Sequence, residues 1–400
     1  MAGSRAAVVT SPVPSDLGDL GLARQTHHPK VLPRYSPTTS LEKIARGTLP
    51  PQEVLKLDWN EGTIPPPPSV AAAMIAHIQS AGGTYLKWYP HLAGGDALRG
   101  ELASYCGVAE ENLIITNGSD DALILLCQAF LGEGKAAMAP TPTYEHFCVN
   151  AVTTGALLHR LDLNDPFSTD IDLIAAGIVR HRPSMVYLVS PNNPTGISWS
   201  VNQVRSLATA FPEVMFLVDE AYHEFGAIDP ETGKPVTCAP LAVTMRNVVV
   251  TRTFSKAFCL ASVRCGYVIG HPATLDELRP FYNPKSVNQF AQVAALAALR
   301  EFESYYKPYI EETHAAREQF VRDLQARGVA VRSGGAGNFV CVHVPDGRTG
   351  ELCRRLEEHG IYVRDLGARF HGYVRITIGL EMERVTEALD QALCEMQGRS

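Results

Sequence analysis

The sequence lacks the patterns that mark membrane, nucleic-acid-binding and metal-binding proteins. The 400-residue chain has no run of about 18 apolar residues, which argues against a membrane span. It has no Lys/Arg-rich run, and its net charge of −7 argues against a nucleic-acid surface. The 13 histidines show no metal-binding spacing, and the nine cysteines form no C-x-x-C pair. We therefore expect no membrane, nucleic-acid or metal partner.

The cysteines and the first residues bear on the compartment. The cysteines are scattered singly, mostly within apolar runs, which favours buried free thiols in a reducing cytoplasm. Residues 1–33 are rich in Ala, Ser, Pro and Gly and lack the apolar core of a secretory signal, so we predict a disordered tail. The rest, with 46% hydrophobic and 19% charged residues overall, is typical of a globular chain with a large core.

Short apolar runs predict the strands of one large α/β unit with a smaller lobe. The runs that have the character of buried strands are residues 113–116, 136–139, 185–189, 214–218, 248–250 and 266–269. Residues 271–289 contain three prolines and are interpreted as a loop and linker. Beyond them, helical runs alternate with short strands, which indicates an α+β lobe.

The segment Thr251–Gly266 carries a lysine in an unusual setting. Lys256 follows a buried strand, with Thr253 and Ser255 just before it and Arg264 eight positions after it. Burial and a nearby positive charge both favour a neutral, nucleophilic amine, which a Schiff base with an aldehyde requires. The two hydroxyl groups and the guanidinium are donors suited to a phosphate.

Three other strand ends carry residues with related chemistry. Gly118 lies between a strand and a helix, where free backbone amides form a ready anion site. Residues 190–196 read SPNNPTG, a loop stiffened by prolines in which an amide can donate to a ring hydroxylate. Asp219 ends a buried strand, where a carboxylate is costly without a cation and where open α/β sheets bind ligands.

These motifs resemble those of fold-type I pyridoxal-phosphate enzymes, and the chain from Tyr35 to Gly379 most resembles the histidinol-phosphate aminotransferase family. TFSKAF…VRCGY looks like the cofactor-lysine motif, and SPNNPTG is a specific match. The resemblance implies a large domain with a mostly parallel seven-stranded sheet flanked by helices, plus a smaller α+β domain. It assigns residues 34–80 to the N-terminal arm and part of the small domain, 81–283 to the large cofactor-binding domain and 284–400 to the small domain.

The resemblance also implies a role for each matching residue around the cofactor. Lys256 would carry pyridoxal 5′-phosphate through a Schiff base and, once released, move the substrate's α-proton. Asp219 would keep the pyridine nitrogen protonated, while Tyr222 and Asn193 would donate to the phenolic oxygen. Tyr144 would stack on the ring, with His146 and Phe147 beside it packing. The donors that would hold the cofactor phosphate are Gly118, Ser119, Asp120, Thr253, Ser255, Arg264 and, from a partner subunit, Tyr89.

On the substrate side the resemblance implies five further contacts. Arg375 matches the arginine for the α-carboxylate, and Asn338 assists it. Arg364 matches the arginine for the distal phosphate of histidinol phosphate. Asn60 and Tyr35 would line the same region.

Several of these residues also have structural alternatives. Arg364 could pair with Asp365 or Glu358. Tyr35 could anchor the arm, Tyr89 could pack at a turn, and Asp219 could form a structural salt bridge.

The implied activity is transamination of an amino acid or amino-phosphate such as histidinol phosphate, with a 2-oxo acid as co-substrate, in a cytoplasmic homodimer with shared active sites. The same scaffold also serves lyases, decarboxylases and cyclases of specialised amino-acid metabolism. The chain departs from the family at Thr38, residues 62–63 and Leu380, so the aminotransferase hypothesis and the lyase, decarboxylase or cyclase hypothesis both stay open. A noncatalytic interaction protein would be expected to lack Lys256 or Asp219, and both are present.

Overall fold

The structure is a computed structural model that describes residues 39–45, 50, 53–80, 82–379 and 381–396. The tail predicted for residues 1–33, the assignment of Tyr35 and the family departures at Thr38 and Leu380 lie outside these residues. None of the helices in the described ranges is long and apolar enough to cross a bilayer.

Strands and helices alternate along most of the described chain. The strands are β1 (Leu55–Lys56), β2 (Leu113–Thr116), β3 (Ala136–Thr141), β4 (Leu157–Asp162), β5 (Met185–Val189), β6 (Met215–Asp219), β7 (Val248–Thr253), β8 (Gly266–Gly270), β9 (Val331–Arg332), β10 (Phe339–His343), β11 (Ile361–Tyr362), β12 (Arg364–Asp365) and β13 (Tyr373–Thr377). The helices are α1 (Leu41–Ala45), α2 (Pro68–Ser80), α3 (Asp96–Cys106), α4 (Ser119–Phe130), α5 (Glu145–Thr153), α6 (Ile171–His181), α7 (Val201–Ala210), α8 (Ala239–Thr244), α9 (Pro272–Leu278), α10 (Gln289–Arg300), α11 (Lys307–Ala326), α12 (Thr349–Glu358) and α13 (Met382–Met396).

A seven-stranded sheet forms the centre of the larger part, which confirms the predicted fold class. Its order is β2-β8-β7-β6-β5-β3-β4. The pairs from β7 to β4 are parallel, and β8 runs antiparallel to both of its neighbours. Successive residues of β5 contribute to hydrophobic cores on opposite faces of the sheet. Because helices cover both faces, the central strands β5, β6 and β7 are buried at every position rather than at alternate ones.

A four-stranded antiparallel sheet of order β12-β13-β10-β9 forms the centre of the smaller part. Val374 and Ile376 point into its core, whereas Arg375 and Thr377 face the other side, as the alternation predicts. The N-terminal segment joins this part, because β1 pairs in parallel with β11 and Leu57 lies in the same core. The domain boundaries expected at residues 80 and 283 stay a prediction.

The structure corrects the interpretation of residues 271–289 as loop. Helix α9 begins within that region, with Pro272 in its first turn and His271 capping it through Nδ1, which accepts from the backbone of Ala273 at 3.2 Å. Proline is tolerated in the first turn because the amide it lacks has no helical partner there. Strand β4 was also not predicted, because it is an edge strand whose LLHRLD sequence is half exposed and not continuously apolar.

Candidate active site

One cavity of about 550 Å³ collects most of the predicted site residues. It lies beyond the carboxyl ends of β5, β6 and β7, which meet at one edge because the strands are parallel. The predicted residues that line it are Ser119, Asp120, Tyr144, Asn193, Asp219, Tyr222, Thr253, Ser255, Lys256, Arg264, Arg364 and Arg375. Gly118 and Tyr89 do not line it, nor do Asn60 and Asn338.

Lys256 reaches this cavity from the turn after β7. Its Nζ donates to the carbonyl oxygen of Trp59 at 2.7 Å and lies 5.5 Å from the ring centroid of Tyr222. Trp59 also lines the cavity but was not predicted, because its contact with the lysine is made by a backbone carbonyl, and no side-chain pattern signals one. The amine is thus held at the cavity wall by a neutral acceptor.

Asp219 is a buried carboxylate with no cationic partner among the described residues. It is 2% exposed and accepts from Tyr187 Oη at 2.7 Å, Thr251 Oγ1 at 3.2 Å and the backbone of Ala221 at 3.2 Å. Burial raises the pKa of Asp219 to about 6, although these hydrogen bonds oppose the rise. The structure therefore excludes the salt bridge considered for Asp219, within the described residues, and leaves its charge facing the cavity.

Two of these donors were not predicted. Tyr187 lies in β5 and Thr251 in β7, where the sequence shows only buried strand residues. A tyrosine in a strand that is buried at every position is the signal that could have been used, because a buried hydroxyl needs a partner.

A buried ion pair fixes the same two strand ends from the opposite face. Glu220 follows Asp219, and its carboxylate accepts from Arg252 Nε at 2.9 Å and from the backbone of Cys238 at 2.6 Å. Arg252 lies in β7 between Thr251, which bonds to Asp219, and Thr253, which lines the cavity. Because side chains alternate along a strand, the salt bridge lies on one face of the strand ends and the groups of the site lie on the other face.

The turn between β2 and α4 forms an anion cradle with the lysine segment. Gly118 has φ +83° and lies against Arg264, since a Cβ atom at this position would approach Arg264 Nη2 to 2.6 Å, while its own amide donates to the carbonyl of Thr116 at 2.9 Å. No side chain caps α4, so its first amides are available. Arg264 donates to Ser255 Oγ at 3.3 Å and to Asp120 Oδ2 at 3.2 Å. This donor set fits a phosphate group.

Tyr144 lies at the cavity, as predicted. Its hydroxyl donates to Asp120 Oδ1 at 3.0 Å and lies 3.2 Å from His146 Nδ1. The packing predicted for Phe147 is confirmed, since it stacks on Tyr187 with ring centroids 4.1 Å apart. The packing predicted for His146 is also observed, since its ring centroid lies 5.3 Å from that of Tyr144, and this side chain lines the cavity as well.

Arg375, Asn193 and Tyr222 form a chain of hydrogen bonds along the opposite wall. Arg375 Nη1 donates to Asn193 Oδ1 at 2.6 Å, and Asn193 Nδ2 donates to Tyr222 Oη at 3.3 Å. Arg375 Nη2 donates to the carbonyl of Asp58 at 2.5 Å, and its buried Nε has no partner among the described residues. Each Nη carries a second proton, so the guanidinium, which lines the cavity, retains donors for a ligand.

The remaining predicted residues lie elsewhere. Asn60 and Asn338 are fully buried behind the cavity wall and are bonded to each other, with Asn338 Nδ2 3.3 Å from the Asn60 carbonyl. Tyr89 is 79% exposed, and Lys285 Nζ lies 4.9 Å from its ring centroid. All nine cysteines are free, and burial raises the pKa of Cys259 and of Cys265 to about 12, which makes both thiols unreactive.

Comparison with known proteins agrees with this geometry. Residues 52–391 match the family described as aminotransferase class I and II. The chain is 34% identical over 351 residues to a dihydroxyacetone phosphate transaminase of Campylobacter jejuni, covering 86% of this chain and 91% of that one. It is 34% identical over 353 residues to a histidinol-phosphate aminotransferase of Thermobifida fusca, covering 86% and 93%. The crystal structure of histidinol-phosphate aminotransferase from Sinorhizobium meliloti in complex with pyridoxal-5′-phosphate gives a TM-score of 0.77 at 26% identity, covering 90% of this chain and 96% of that one.

The buried carboxylate predicts a pH-dependent effect of Asp219→Asn on the cofactor-free protein. The folded pKa of about 6 lies above the reference value of 3.8, so stability contributed by the bound proton is lost as the pH rises through about 6. Asparagine has no such proton to lose. The free energy of unfolding of the variant relative to wild type should increase by about 1 kcal/mol between about pH 5 and about pH 7.5, measured by urea denaturation.

Asp276→Asn is the matched control, because the Asp276 side chain is 68% exposed. Its difference from wild type should stay within about 0.5 kcal/mol at both pH values. If the difference for Asp219→Asn is equally independent of pH, the carboxylate is not destabilised by burial and the electrostatic description of the site is wrong.

Proposed function

Because this chain belongs to the aminotransferase class I and II family and is a pyridoxal-phosphate-dependent aminotransferase, we propose that it transfers an amino group between a small phosphorylated amino compound and a 2-oxo acid. The observation that carries this proposal is a pair of arginines, Arg364 and Arg375, on neighbouring strands at one wall of the cavity. The identity of the amino compound is the part that goes beyond the family.

The proposed cofactor contacts follow from the donors and charges around the cavity. Lys256 supplies the amine that bonds the cofactor aldehyde, and the same amine, once released, moves the proton at the substrate's reacting carbon. The bound cofactor supplies an electron sink for that carbon. Asp219 holds a proton on the pyridine nitrogen, because its buried charge has no other cation to meet among the described residues.

The phosphate and phenolic ends of the cofactor have separate donor sets. The cradle of Ser255, Arg264 and the first amides of α4 suits the phosphate, and Gly118 contributes space beside Arg264 rather than a donor. Tyr222, on the other side of Lys256, suits the phenolic oxygen. With these assignments the ring nitrogen would face Asp219. Among the described residues that line the cavity, Asp219 is the buried carboxylate that has no cationic partner.

The two arginines favour a dianion on the substrate. Arg364 on β12 is the direct cross-strand neighbour of Arg375 on β13, and both side chains line the cavity. Two guanidinium groups at neighbouring positions offer adjacent planar sets of donors to one dianion. Burial, together with the positive charge of Arg364, lowers the pKa of Arg375, and Arg375 donates to two neutral oxygens, those of Asn193 and Asp58.

The names of the relatives suggest which dianion this is. Histidinol phosphate and dihydroxyacetone phosphate both carry a CH₂–O–phosphate group on the carbon that exchanges nitrogen for oxygen. They differ in the second substituent, an imidazolylmethyl group in one and a hydroxymethyl group in the other. We propose that Arg364 and Arg375 bind the shared CH₂–O–phosphate group of the amino compound. In the other half-reaction the same two arginines would bind the carboxylate of the 2-oxo acid.

Phosphate dependence is the first test of the proposal. Histidinol phosphate, or dihydroxyacetone phosphate with glutamate, should be converted with a kcat/KM at least about 100-fold above that of histidinol or dihydroxyacetone, because two charge-assisted contacts are lost without the phosphate. Absorbance follows the half-reaction of the phosphorylated compound, which is formation of the amine form of the bound cofactor with histidinol phosphate and loss of that form with dihydroxyacetone phosphate. Equal rates with unphosphorylated amino acids would overturn the phosphate assignment, and release of ammonia or carbon dioxide without the amine form would indicate a lyase or decarboxylase.

Arg364→Gln should remove most of this preference, lowering kcat/KM for the phosphorylated substrate about 10- to 100-fold and leaving that for the unphosphorylated one nearly unchanged. Arg332→Gln is the matched control, because Arg332 lies in the same sheet but is 48% exposed and pairs with Asp165. A similar loss in both variants would mean that Arg364 acts only through stability.

We also propose that two copies of the chain share their active sites. Residues 86–92 expose four large apolar side chains, including Trp88 and Tyr89. A cluster of exposed apolar side chains is typical of a surface that contacts another protein. At the phosphate cradle the side chain of Arg264 remains 39% exposed, which leaves room for one more donor. Tyr89 of a second copy is the proposed donor.

Hybrid dimers test this directly. Lys256→Ala and Tyr89→Phe should each lower activity, the second about 10-fold or more. If Tyr89 crosses between copies, mixed and re-associated protomers should recover about a quarter of wild-type activity, because half of the dimers are hybrids with one complete site. Recovery that does not exceed the average of the two parents would contradict the crossing. The pair Lys256→Ala and Asp219→Asn is the control and should show no recovery.

A further inference from the structure

Residues 58–60 contact three groups of the active site in succession. The first two carbonyl oxygens accept from Arg375 Nη2 at 2.5 Å and from Lys256 Nζ at 2.7 Å. The side chain of Asn60 then donates through Nδ2 to Tyr222 Oη at 3.0 Å. One short segment therefore contacts the residues proposed to bind the substrate anion, the cofactor aldehyde and the phenolic oxygen.

Asn60 is held rigidly in this segment. Its side chain is fully buried, its φ is +54°, and its backbone amide donates to Thr377 Oγ1 at 3.1 Å. Asparagine is one of the few residues that adopts this left-handed conformation readily. The resemblance implies a substrate contact for Asn60, but its amide is directed at Tyr222 and Thr377 rather than at the cavity.

The orientation of the Asn60 amide follows from its neighbours. Thr377 Oγ1 lies 3.0 Å from Asn60 Oδ1 and 2.8 Å from the carbonyl of Leu57, and its single proton can serve only one of them. The Leu57 carbonyl already accepts from the backbone of Thr377 at 3.0 Å. We therefore assign the hydroxyl proton to Asn60 Oδ1, which leaves Nδ2 facing Tyr222.

The Tyr222 hydroxyl receives a second amide donor. Arginine has donors only, so the atom of Asn193 that contacts Arg375 must be the acceptor Oδ1. The Nδ2 group of Asn193 then faces Tyr222 Oη, at 3.3 Å. Two donors occupy the two acceptor sites of the phenol oxygen. The proton of Tyr222 then has to point away from both amides, and Tyr222 lines the cavity.

We propose that Asn60 is a positioning residue that, together with Asn193, directs the Tyr222 proton into the cavity toward the phenolic oxygen of the cofactor. The proposal rests on the role proposed for Tyr222, and it replaces the substrate contact implied for Asn60. It does not depend on which amino compound the enzyme uses.

The readout is the pH at which the visible absorption of the substrate-free holoenzyme changes. That change reports deprotonation of the link between Lys256 and the cofactor. A hydrogen bond to the phenolic oxygen favours the form with more negative charge on that oxygen, which is the deprotonated one. Weakening the Tyr222 donor should therefore raise the apparent pKa of the link. A residue that only contacts substrate leaves this titration unchanged.

Asn60→Asp is the main variant, because aspartate keeps the shape and tolerates the left-handed backbone but replaces the donor by an acceptor. Tyr222 would then donate to the new carboxylate, and the apparent pKa of the link should rise by about one unit, close to the rise in Tyr222→Phe. Asn60→Gly keeps the backbone conformation, removes the side chain and should give about half of that shift.

Thr63→Val is the matched control, because it removes the 3.3 Å contact between Thr63 Oγ1 and Tyr309 Oη in the same segment without touching Tyr222. It should titrate like wild type. If Tyr222→Phe shifts the titration and both Asn60 variants do not, the role of Asn60 is refuted and that of Tyr222 stands. If Tyr222→Phe gives no shift, the role of Tyr222 fails and the Asn60 inference fails with it. An equal shift in Thr63→Val would show that loosening the segment is the cause.

Discussion

The site depends on a carboxylate that folding buries without a cationic partner among the described residues. The central strands are buried at every position, and Asp219 ends one of them with 2% of its surface exposed. Three neutral donors stabilise its charged form, yet burial outweighs them and raises the pKa to about 6. A cationic pyridine ring in the cavity would offset the desolvation free energy of the buried carboxylate. That offset would contribute favourably to the free energy of cofactor binding.

A buried ion pair on the opposite face of the sheet stabilises the strand ends next to Asp219. The buried Arg252–Glu220 pair joins β7 to β6 on the face away from the cavity, one residue from each cavity-facing group. Breaking such a pair leaves an uncompensated buried charge, so it strongly resists displacement of the two strands. Thr251 and Asp219, which are register partners and are hydrogen-bonded to each other, each lie one residue from this pair.

The site is completed by a different sheet. Arg364 and Arg375 belong to the smaller sheet, and the segment from Leu57 to Asn60 bonds to both β13 and the lysine turn. The carbonyl that accepts from Arg375 is two residues from the amide that donates to Tyr222. One segment therefore bonds both to the residue proposed to bind the substrate anion and to the residue proposed to bind the phenolic oxygen of the cofactor.

The sequence was most informative where chemistry follows a buried strand. Asp219, Asn193, Thr253 and Lys256 could be predicted because an apolar run that stops at polar residues marks the edge of a parallel sheet. Asn60 could not be placed, since its direction is set by a left-handed residue and by Thr377 on a strand more than 300 residues away. Edge strand β4 and helix α9 were missed for a related reason. One has half-exposed polar residues, and the other begins with a proline that elsewhere ends helices.

The most direct measurement of the central constraint is ¹⁵N NMR of the holoenzyme reconstituted with cofactor labelled at the pyridine nitrogen. If the Asp219 carboxylate pairs with a ring cation, the nitrogen should remain protonated at pH values where the free cofactor has lost that proton, and Asp219→Asn should abolish the protonated signal. A nitrogen that is unprotonated in the wild-type holoenzyme near neutral pH would contradict this, because the buried carboxylate would then have no charge to meet.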